Sequence, residues 1–351
     1  MSDSMTPRVE NHTPWSDVLF ERGDAKGRRY WVTVLQGSFS LVTRRPLQPL
    51  KEQEPIQLVD SFWGDPARSS VRRPGVLAFR KPRSDVTVNA VARSRRQQVE
   101  WPVRLQLGEL ESTLIVRGPH HWVRDDDDRW ILTEPEPCYS VALVYENAFG
   151  GGGWVAGQRV EEPRNPLGTG FIPDGDAGTE RRRAPQVVGL DEREHEPGQR
   201  HAPRGWGAIP SYFAPRTEHV GTCDAAWERT QWPRPPEDFD DAFYQVSPPE
   251  LIYPGTLRGD EDFRIEGVTV SGEAIVGQLP GWLVFAIVHI GDGGRLLCPL
   301  ALDHVHLDVL HPDPGKHRGY LTWRVVLPLE EAIHSLEIGM VSRRQLEGLA
   351  A

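Results

Sequence analysis

Cysteine is scarce in this sequence, and no apolar run is long enough to cross a membrane. The three cysteines, Cys138, Cys223 and Cys298, lie far apart and form no CxxC pair. We therefore expect neither a disulfide scaffold nor a zinc knuckle, and a reducing cytoplasm suits the chain. The longest apolar run, residues 281–290, has about half of the roughly 20 residues of a membrane helix and predicts a buried strand instead.

Positive charge is also in deficit. Lysine and arginine total 40 against 50 aspartates and glutamates, which gives a net charge of -10. Phosphate backbones and anionic lipids bind basic surfaces, so this balance argues against nucleic acid and against a membrane as partners.

The patterns that usually carry catalysis are missing as well. No GxSxG occurs, and Ser69 and Ser70 lack the surroundings of a nucleophile elbow. The glycine run 150–153 is followed by Trp154 and not by the Lys-Ser/Thr of a phosphate-binding loop, so it predicts a tight turn. We expect no cofactor and interpret the chain as a non-enzyme.

Two histidines on one predicted strand leave open the alternative of a metal-dependent enzyme, such as a hydrolase. His304, His306 and Asp308 share one face of a strand, where alternate residues are about 6.5–7 Å apart. His304 and Asp308 are then about 13 Å apart and cannot bind one ion, because zinc ligands lie about 2 Å from the metal. His304 and His306 remain weak metal candidates, and we favour a polar strand face.

Twelve tryptophans leave open a second alternative, a carbohydrate-binding β module. Aromatic rings on a β face can stack on sugars, but these tryptophans are scattered along the whole chain. A tryptophan buries a large area on folding, so we expect most of them in the core.

Proline and glycine are plentiful, and changes in composition and in predicted strand content divide the sequence into four parts. The 31 Pro and 34 Gly suit many short strands joined by turns and coil. Residues 1–150 form an N-terminal β-rich part, and residues 151–259 an irregular Pro/Gly/Arg-rich part with short helices packed on the β core. Residues 260–328 form a C-terminal β-rich part, and residues 329–351 a short helical tail. The predicted class is mainly β, with antiparallel sandwich or barrel-like sheets around a long coil midsection.

Strand signals are clear in both β-rich parts. Residues 101–107 alternate between apolar and polar side chains, which indicates a half-buried strand. Residues 30–42 are dense in β-branched and aromatic residues, which favour strands. Residues 301–310 and 320–327 predict the two strands of a hairpin.

Helix signals are few. Residues 224–230 and 239–245 predict two short helices in the midsection, each preceded by polar or acidic residues suited to a helix start. In the tail, the apolar residues Ile333, Leu336 and Met340 are spaced by three and four positions, which predicts a helix with one apolar face.

A series of short peptides along residues 10–327 resembles a known family. Representative peptides are Asn11-His12-Thr13-Pro14-Trp15, Trp63-Gly64-Asp65-Pro66, Ala148-Phe149-Gly150-Gly151 and Trp232-Pro233. The residues of the series to which we assign a structural or partner role are Asn11, Thr13, Pro14, Gly64, Pro66, Ser70, Lys81, Pro82, Asp85, Glu146, Phe149, Gly150, Gly151, Asn165, Pro166 and Asp224. In number and order the peptides resemble domain-of-unknown-function family 2169, a set of bacterial type VI secretion accessory proteins.

The resemblance implies a non-catalytic adaptor or chaperone. Such a protein binds a type VI effector, a spike protein or a tip protein of the PAAR type, and assists loading before secretion. The family brings no catalytic residues and no cofactor, so none are assigned here.

Aromatic residues of the midsection are the candidates for contact with a partner. They are Trp206, Tyr212, Phe213, Trp227 and Trp232. Aromatic side chains are common anchors of protein interfaces, and an irregular Pro-rich segment can present them in a groove. The alternative for each residue is that it fixes the coil onto the β core.

Overall fold

The computed structural model describes residues 6–176, 178, 181–192, 198–291, 293–329, 333–343 and 345–346. Within these residues the strands of the first half are β1 (Arg8–Asn11), β2 (Ser16–Gly23), β3 (Arg29–Ser40), β4 (Arg45–Pro46), β5 (Gln48–Pro49), β6 (Ser61–Phe62), β7 (Val71–Arg73), β8 (Asp85–Asn89), β9 (Val91–Gln98), β10 (Glu100–Leu107), β11 (Leu110–Arg117), β12 (His121–Arg124), β13 (Trp130–Leu132) and β14 (Cys138–Ala142). The later strands are β15 (Phe149–Gly150), β16 (Gly152–Val155), β17 (Gln158–Glu161), β18 (Thr169–Gly170), β19 (Arg181–Arg183), β20 (Val187–Gly189), β21 (Asp262–Glu266), β22 (Ile275–Gln278), β23 (Trp282–Ile290), β24 (Gly294–Asp308), β25 (Arg318–Pro328) and β26 (Ile333–Ser342).

The helices of the described residues are short. Two α-helices lie between strands, α1 (Ala214–Thr217) and α2 (Ala225–Thr230). Single 3₁₀ turns occur at Tyr145–Asn147, Asp241–Tyr244, Pro249–Leu251 and Pro314–Lys316, and residues 343, 345 and 346, after β26, are also helical. None of the helices in the described ranges combines the length and the apolar character needed to cross a lipid bilayer.

The largest sheet is curled into a nearly closed barrel. Its strands follow the order β1-β26-β23-β24-β25-β3-β2, with β5 beside β3 and β8 beside β24. The pairs β1–β26 and β8–β24 are parallel, and the neighbours from β26 to β2 are antiparallel. Strands from both ends of the sequence thus lie in one sheet, which joins the two β-rich parts.

A second sheet packs against the first and completes the core. Its order is β20-β11-β10-β21-β22-β4, and the apolar side chains of both sheets form one continuous cluster. In β10 the residues Trp101, Val103, Leu105 and Leu107 are buried while the intervening ones are exposed, as the alternation predicts. The mainly β class with barrel-like antiparallel sheets is confirmed.

The outer face of the barrel is covered by coil and carries a buried polar layer. Arg73, from the covering segment, donates to Gln36 Oε1 of β3 over 2.9 Å and to Glu54 Oε2 over 3.0 Å. Its guanidinium also lies 4.0 Å from the ring centroid of Tyr320 in β25. On the same strand, Arg324 donates to Asp303 and to the carbonyl oxygen of Val76. Polar side chains therefore fix the coil onto the sheet.

The hairpin and midsection helices follow the sequence-based expectations closely. β24 pairs with β25 as the predicted hairpin. Helix α2 begins after Asp224, whose carboxylate accepts from the backbone amides of Ala226 and Trp227 over 3.0 and 2.8 Å. The second predicted helix is the 3₁₀ turn Asp241–Tyr244, capped by Asp240.

The prediction of a helical tail at residues 329–351 is wrong for residues 333–342, whereas the described residues 343, 345 and 346 are helical. Residues 333–342 form β26, which lies between β1 and β23. The side chains of Leu336, Ile338 and Met340 all pack on the core. They are two positions apart, which is the period of a strand, and the spacing of three and four in Ile333, Leu336 and Met340 does not lead to a helix. Residues 330–332, 344 and 347–351 lie outside the described residues.

A buried carboxylate, that of Asp85, connects β8 to the midsection and forms an ion pair with Lys81. Lys81 Nζ lies 2.7 Å from Asp85 Oδ2, and both side chains are almost completely buried. Asp85 also accepts from Gln245 Nε2 over 2.8 Å and from the backbone amides of Val246 and Ser247 over 3.1 and 3.0 Å. Four donors thus satisfy one carboxylate, which offsets the cost of taking its charge out of water.

We expect Lys81→Met to lower the free energy of unfolding by about 3–5 kcal/mol, because the Asp85 charge stays buried without its cation. Urea unfolding followed by circular dichroism measures the change. The matched control is Arg159→Met, which removes the cation of the exposed Arg159–Glu161 pair. That change should cost less than about 1 kcal/mol. Equal losses in the two variants would contradict the role given to the buried pair.

Candidate partner-binding site

The five candidate aromatics divide into buried and exposed residues. Trp206 and Phe213 have no exposed surface. The indole of Trp206 donates to Ser112 Oγ over 3.0 Å, and its carbonyl oxygen accepts from Val88 of β8 over 2.7 Å. Trp206 fixes the midsection onto the β core, whereas Phe213 packs in a separate cluster with Tyr145, Ala148 and Ile209. Both are buried structural residues, which is the alternative interpretation of the pattern. A role of these two residues in binding a partner stays a prediction, and neither side chain has surface that a partner could contact.

Residues 219–240 form an excursion from the barrel, which we call the tryptophan protrusion. Its two ends are joined where the Asp240 amide donates to the carbonyl oxygen of His219 over 3.0 Å. One step further out, Asp238 accepts from the Thr222 amide and hydroxyl over 2.8 and 2.7 Å. These hydrogen bonds lower the pKa of the Asp238 carboxyl. Gly221 has a φ of +80° at this crossing, where a Cβ would lie 2.6 Å from Asp238 Oδ1.

The tip of the protrusion presents two tryptophans. Trp227 of α2 lies edge-to-face against Trp232, with ring centroids 5.8 Å apart and an interplanar angle of 85°. The Trp227 indole also donates to the carbonyl oxygen of Arg234 over 2.9 Å, which fixes its ring. Trp232 is 67% exposed, and helix α2 contains no buried residue. The protrusion therefore holds a large aromatic ring in solvent on a locally rigid element.

The protrusion rests on the hairpin between β2 and β3. Gln231 Nε2 donates to the carbonyl oxygen of Ala25 over 3.2 Å and to that of Pro235 over 2.6 Å. Gly27 lies so close to the Arg234 side chain that a Cβ there would be 3.0 Å from its guanidinium. The position of the tryptophans is thus set relative to the barrel.

A second exposed aromatic area lies at the turn Trp63–Pro66. Tyr212 is 40% exposed and donates its hydroxyl to the carbonyl oxygen of Pro66 over 3.2 Å. Trp63 is also 40% exposed, and the guanidinium of Arg72 lies 5.1 Å from its ring centroid. Sequence reasoning named Tyr212 but missed Trp63 as a contact candidate. The sequence does contain a sign that Trp63 is exposed, because it lies in a turn rich in Gly and Pro and outside any alternating apolar pattern.

Ser70 and Glu146, two polar residues of the family series, bind each other. Glu146 accepts from the Ser70 amide over 2.8 Å and from its hydroxyl, and Ser70 Oγ accepts from the Tyr145 amide over 3.0 Å. This bridge joins the turn that carries Trp63 to the segment before β15.

Asn165 organises the glycine run. Its amide donates to the carbonyl oxygens of Tyr145 and Phe149, each over 2.9 Å. Gly150 lies so close to Asn165 that a Cβ at position 150 would be 2.1 Å from the backbone carbonyl oxygen of Asn165. Gly151 has a φ of +84°. The run is a tight turn with close backbone contact, as the sequence predicts.

Asn11 and Thr13 shape the turn between β1 and β2. Asn11 Oδ1 accepts from the amide and hydroxyl of Thr13 over 2.9 and 2.7 Å. Its Nδ2 donates to the carbonyl oxygen of Trp15 and to Asp17 Oδ1, over 2.8 and 2.7 Å. Trp15 then stacks on Trp323 inside the barrel, with centroids 4.5 Å apart. Asn11 and Thr13, like Lys81 and Asp85, therefore stabilise the fold.

His304 and His306 face a hydroxyl group. Thr87 Oγ1 lies 2.8 Å from His304 Nε2 and 2.8 Å from His306 Nδ1, and both rings are buried. Asn89 Nδ2 lies 3.3 Å from His306 Nε2. Burial lowers the pKa of His304 well below its usual value and that of His306 to about 3. Among the described residues there is no group of three or more His, Cys, Asp and Glu side chains placed to hold a metal ion.

The depressed pKa of His306 predicts a loss of stability in acid. The ring is neutral in both states above its unfolded pKa of 6.5, and as pH falls towards 3 only the unfolded chain gains the proton. The loss from this group reaches about 2 kcal/mol near pH 5. We expect His306→Gln to show a shallower decline of unfolding free energy between about pH 6.5 and 4.5. Identical slopes in variant and wild type would contradict the neutral buried ring.

These observations define a mainly β protein whose coil is fixed by buried polar groups and whose exposed Trp232 follows a short capped helix. A family model described as "Uncharacterized protein conserved in bacteria (DUF2169)" matches residues 26–324, and the chain belongs to that family. Neither a curated protein nor a solved structure is matched by the chain.

Proposed function

We propose that the protein is a non-catalytic adaptor that binds another protein through the tryptophan protrusion. In this proposal it serves type VI secretion in the cytoplasm, where it binds an effector, a spike protein or a PAAR-type tip protein and assists loading. The peptide series from Asn11 to Trp232 supports the choice of system through its resemblance to secretion accessory proteins.

The observation that carries the proposal is the exposure of Trp232. Tryptophan is among the residues that most often dominate binding energy at interfaces, because it buries a large area and loses little conformational freedom. At 67% exposure, most of the Trp232 ring is available to a partner. A ring held in water by the fold itself is costly unless another surface covers it.

The rigidity of the protrusion supports the same function. The Asp224 cap, the Thr222–Asp238 pair and the Trp227–Trp232 contact fix the ring before a partner arrives. A partner then loses little free energy in ordering the site, since the cost of immobilising flexible side chains is already met by folding.

Charged side chains on the protrusion form a polar rim around the two tryptophans. Asp224 and Glu228 lie at the start of α2, and Arg229 and Arg234 follow on the same excursion. Interfaces of specific complexes have this arrangement of an aromatic anchor within a polar, solvent-accessible rim.

The test is binding of the purified chain to the products of neighbouring secretion genes. We expect Trp232→Ala to weaken the complex at least about tenfold, because the aromatic anchor is lost. The same change should lower the unfolding free energy by no more than about 1.5 kcal/mol, since only the contact with Trp227 is removed from the fold. Calorimetric titration and thermal unfolding give the two quantities.

The matched control is Trp154→Ala. Trp154 is 54% exposed and lies on the separate β16–β17 hairpin, so its removal deletes a similar ring outside the protrusion. Affinity should stay within about twofold of wild type in this variant. Equal affinities of Trp232→Ala and wild type, with both chains folded, would exclude the protrusion as the binding site.

A further inference from the structure

A cleft of about 290 Å³ opens between two loops that connect strands of the two main sheets. Its lining comes from residues within 268–275, at the connection of β21 to β22, and within 311–317, at the connection of β24 to β25. Leu41 and Thr43, which follow β3, and Arg93 of β9 also contribute. These residues lie outside the tryptophan protrusion, so the cleft is a separate feature of the molecule.

The lining of the cleft is mainly apolar. Val268 and Ile275 are buried, while Val270 of the same loop remains 60% exposed. Two prolines, Pro312 and Pro314, contribute from the other loop. An apolar group that entered the cleft would cover Val270, and burial of such apolar surface is favourable.

Both loops are fixed by their own hydrogen bonds. Thr269 Oγ1 donates to the carbonyl oxygen of Glu273 over 2.6 Å, and the Gly272 amide donates to that of Thr269 over 3.1 Å. In the other loop, His317 Nε2 donates to the carbonyl oxygen of His311 over 2.8 Å. The cleft is therefore formed before a ligand arrives, which limits the loss of conformational freedom on binding.

Arg93 places a cation between the two loops. Its Nη1 donates to the carbonyl oxygen of Val268 over 3.2 Å, and its Nη2 donates to that of Leu310 over 2.7 Å. One nitrogen is thus bound to each loop, and the side chain lines the cleft.

This cation has no negative partner within the part of the chain that the structure describes. Burial lowers the pKa of the Arg93 guanidinium, and no carboxylate acts in the opposite direction. Of the described residues that line the cleft, Glu273 alone is acidic, and it is exposed and forms no ion pair with Arg93. The two carbonyl oxygens accept from only two of the N–H groups of a guanidinium. Its other donors and its positive charge are therefore available to an anionic ligand.

We propose that the cleft binds the C-terminal residue of a protein chain, with the terminal carboxylate on Arg93 and an apolar side chain against Val270. A carboxylate matches the planar guanidinium and accepts two parallel hydrogen bonds from it. Capture of a terminal carboxylate is one of the recurring modes of peptide recognition. The site does not depend on the function proposed for the tryptophan protrusion.

Apolar walls and a single cation together select a chain end over other anions. An inorganic anion would pair with Arg93 but would leave the apolar walls in water. An internal aspartate or glutamate would bring a peptide group on either side of it into the cleft, where apolar walls leave those groups without hydrogen-bond partners. A terminal residue carries its carboxylate and its apolar side chain on the same carbon and enters with one peptide group.

The size of the cleft supports the same ligand. At about 290 Å³ it lies at the lower limit of ligand pockets, which begin at roughly 300 Å³. One or two terminal residues suit that volume, whereas a long-chain lipid does not.

The test titrates the full chain with an acetyl-Gly-Ser-Gly-Val-Leu peptide that ends in a free carboxylate, and with the same peptide as its carboxamide. We expect calorimetric titration to show at least about tenfold higher affinity for the free acid, because only the acid forms charge-assisted hydrogen bonds with Arg93. Equal affinities of acid and amide, or binding of neither, overturn the proposal. This comparison uses the wild-type chain and is independent of the folding of any variant.

Val270→Asp tests the apolar wall, with Val59→Asp as the matched control. Val59 is 67% exposed and lies outside the cleft. Val270→Asp should weaken binding of the free acid at least about fivefold, since it places a charge where the apolar side chain lies. Val59→Asp should stay within about twofold of wild type. Both side chains are mostly exposed, so both variants should unfold near the wild-type temperature. Equal affinities of the two variants contradict the assigned site.

Arg93→Met and a third probe identify the cation and the source of the carboxylate. In Arg93→Met the acid and the amide should bind equally weakly, and a preserved preference for the acid overturns the role of Arg93. If this variant does not fold, the acid–amide comparison and Val270→Asp decide. Octanoate should bind the wild type more weakly than the peptide acid. If octanoate binds as tightly, a lipid carboxylate is the ligand and the proposal of a protein chain end fails.

Discussion

The architecture depends on one buried carboxylate, that of Asp85. It lies at the start of β8, where the backbone pairs with His304 of β24, and it collects four donors from Lys81 and from residues 245–247. A charge in that position is tolerated only when every lone pair is satisfied. The coil before β8 and the end of the midsection must therefore converge on it, and this convergence sets the base from which the tryptophan protrusion extends.

The same principle recurs in other coil segments. Glu146 binds Ser70, Asn165 binds two backbone carbonyls, and Arg73 binds Gln36 and Glu54. Coil that cannot form a ladder of its own satisfies its backbone through these side chains. Polar residues that look like site residues in the sequence thus serve as structural anchors.

Much of the fold could be predicted from local patterns, and much of the site could not. The alternation in β10 and the cap of α2 depend on neighbours in sequence, so they are readable. The pairing of Asp85 with His304 depends on contacts between distant segments, and no local signal specifies it. The prediction of a helix at residues 333–342 was wrong because the spacing of Leu336 and Met340 fits the period of two of a strand as well as the spacing of a helix. Trp206 and Trp232 are the same residue in similar Pro-rich surroundings, and only tertiary contacts separate the buried ring from the exposed one.

The interleaving of early and late strands has a consequence for the order of events in synthesis. β3 lies between β2 and β25, and Ser40 is paired with Arg318, near the other end of the chain. A growing chain that has not yet produced β25 and β26 has no barrel against which β2 can be fixed, and contacts of such long range form late in folding. The barrel is therefore complete only once translation has produced β25 and β26, and a shorter nascent chain lacks the strand on which β3 is fixed.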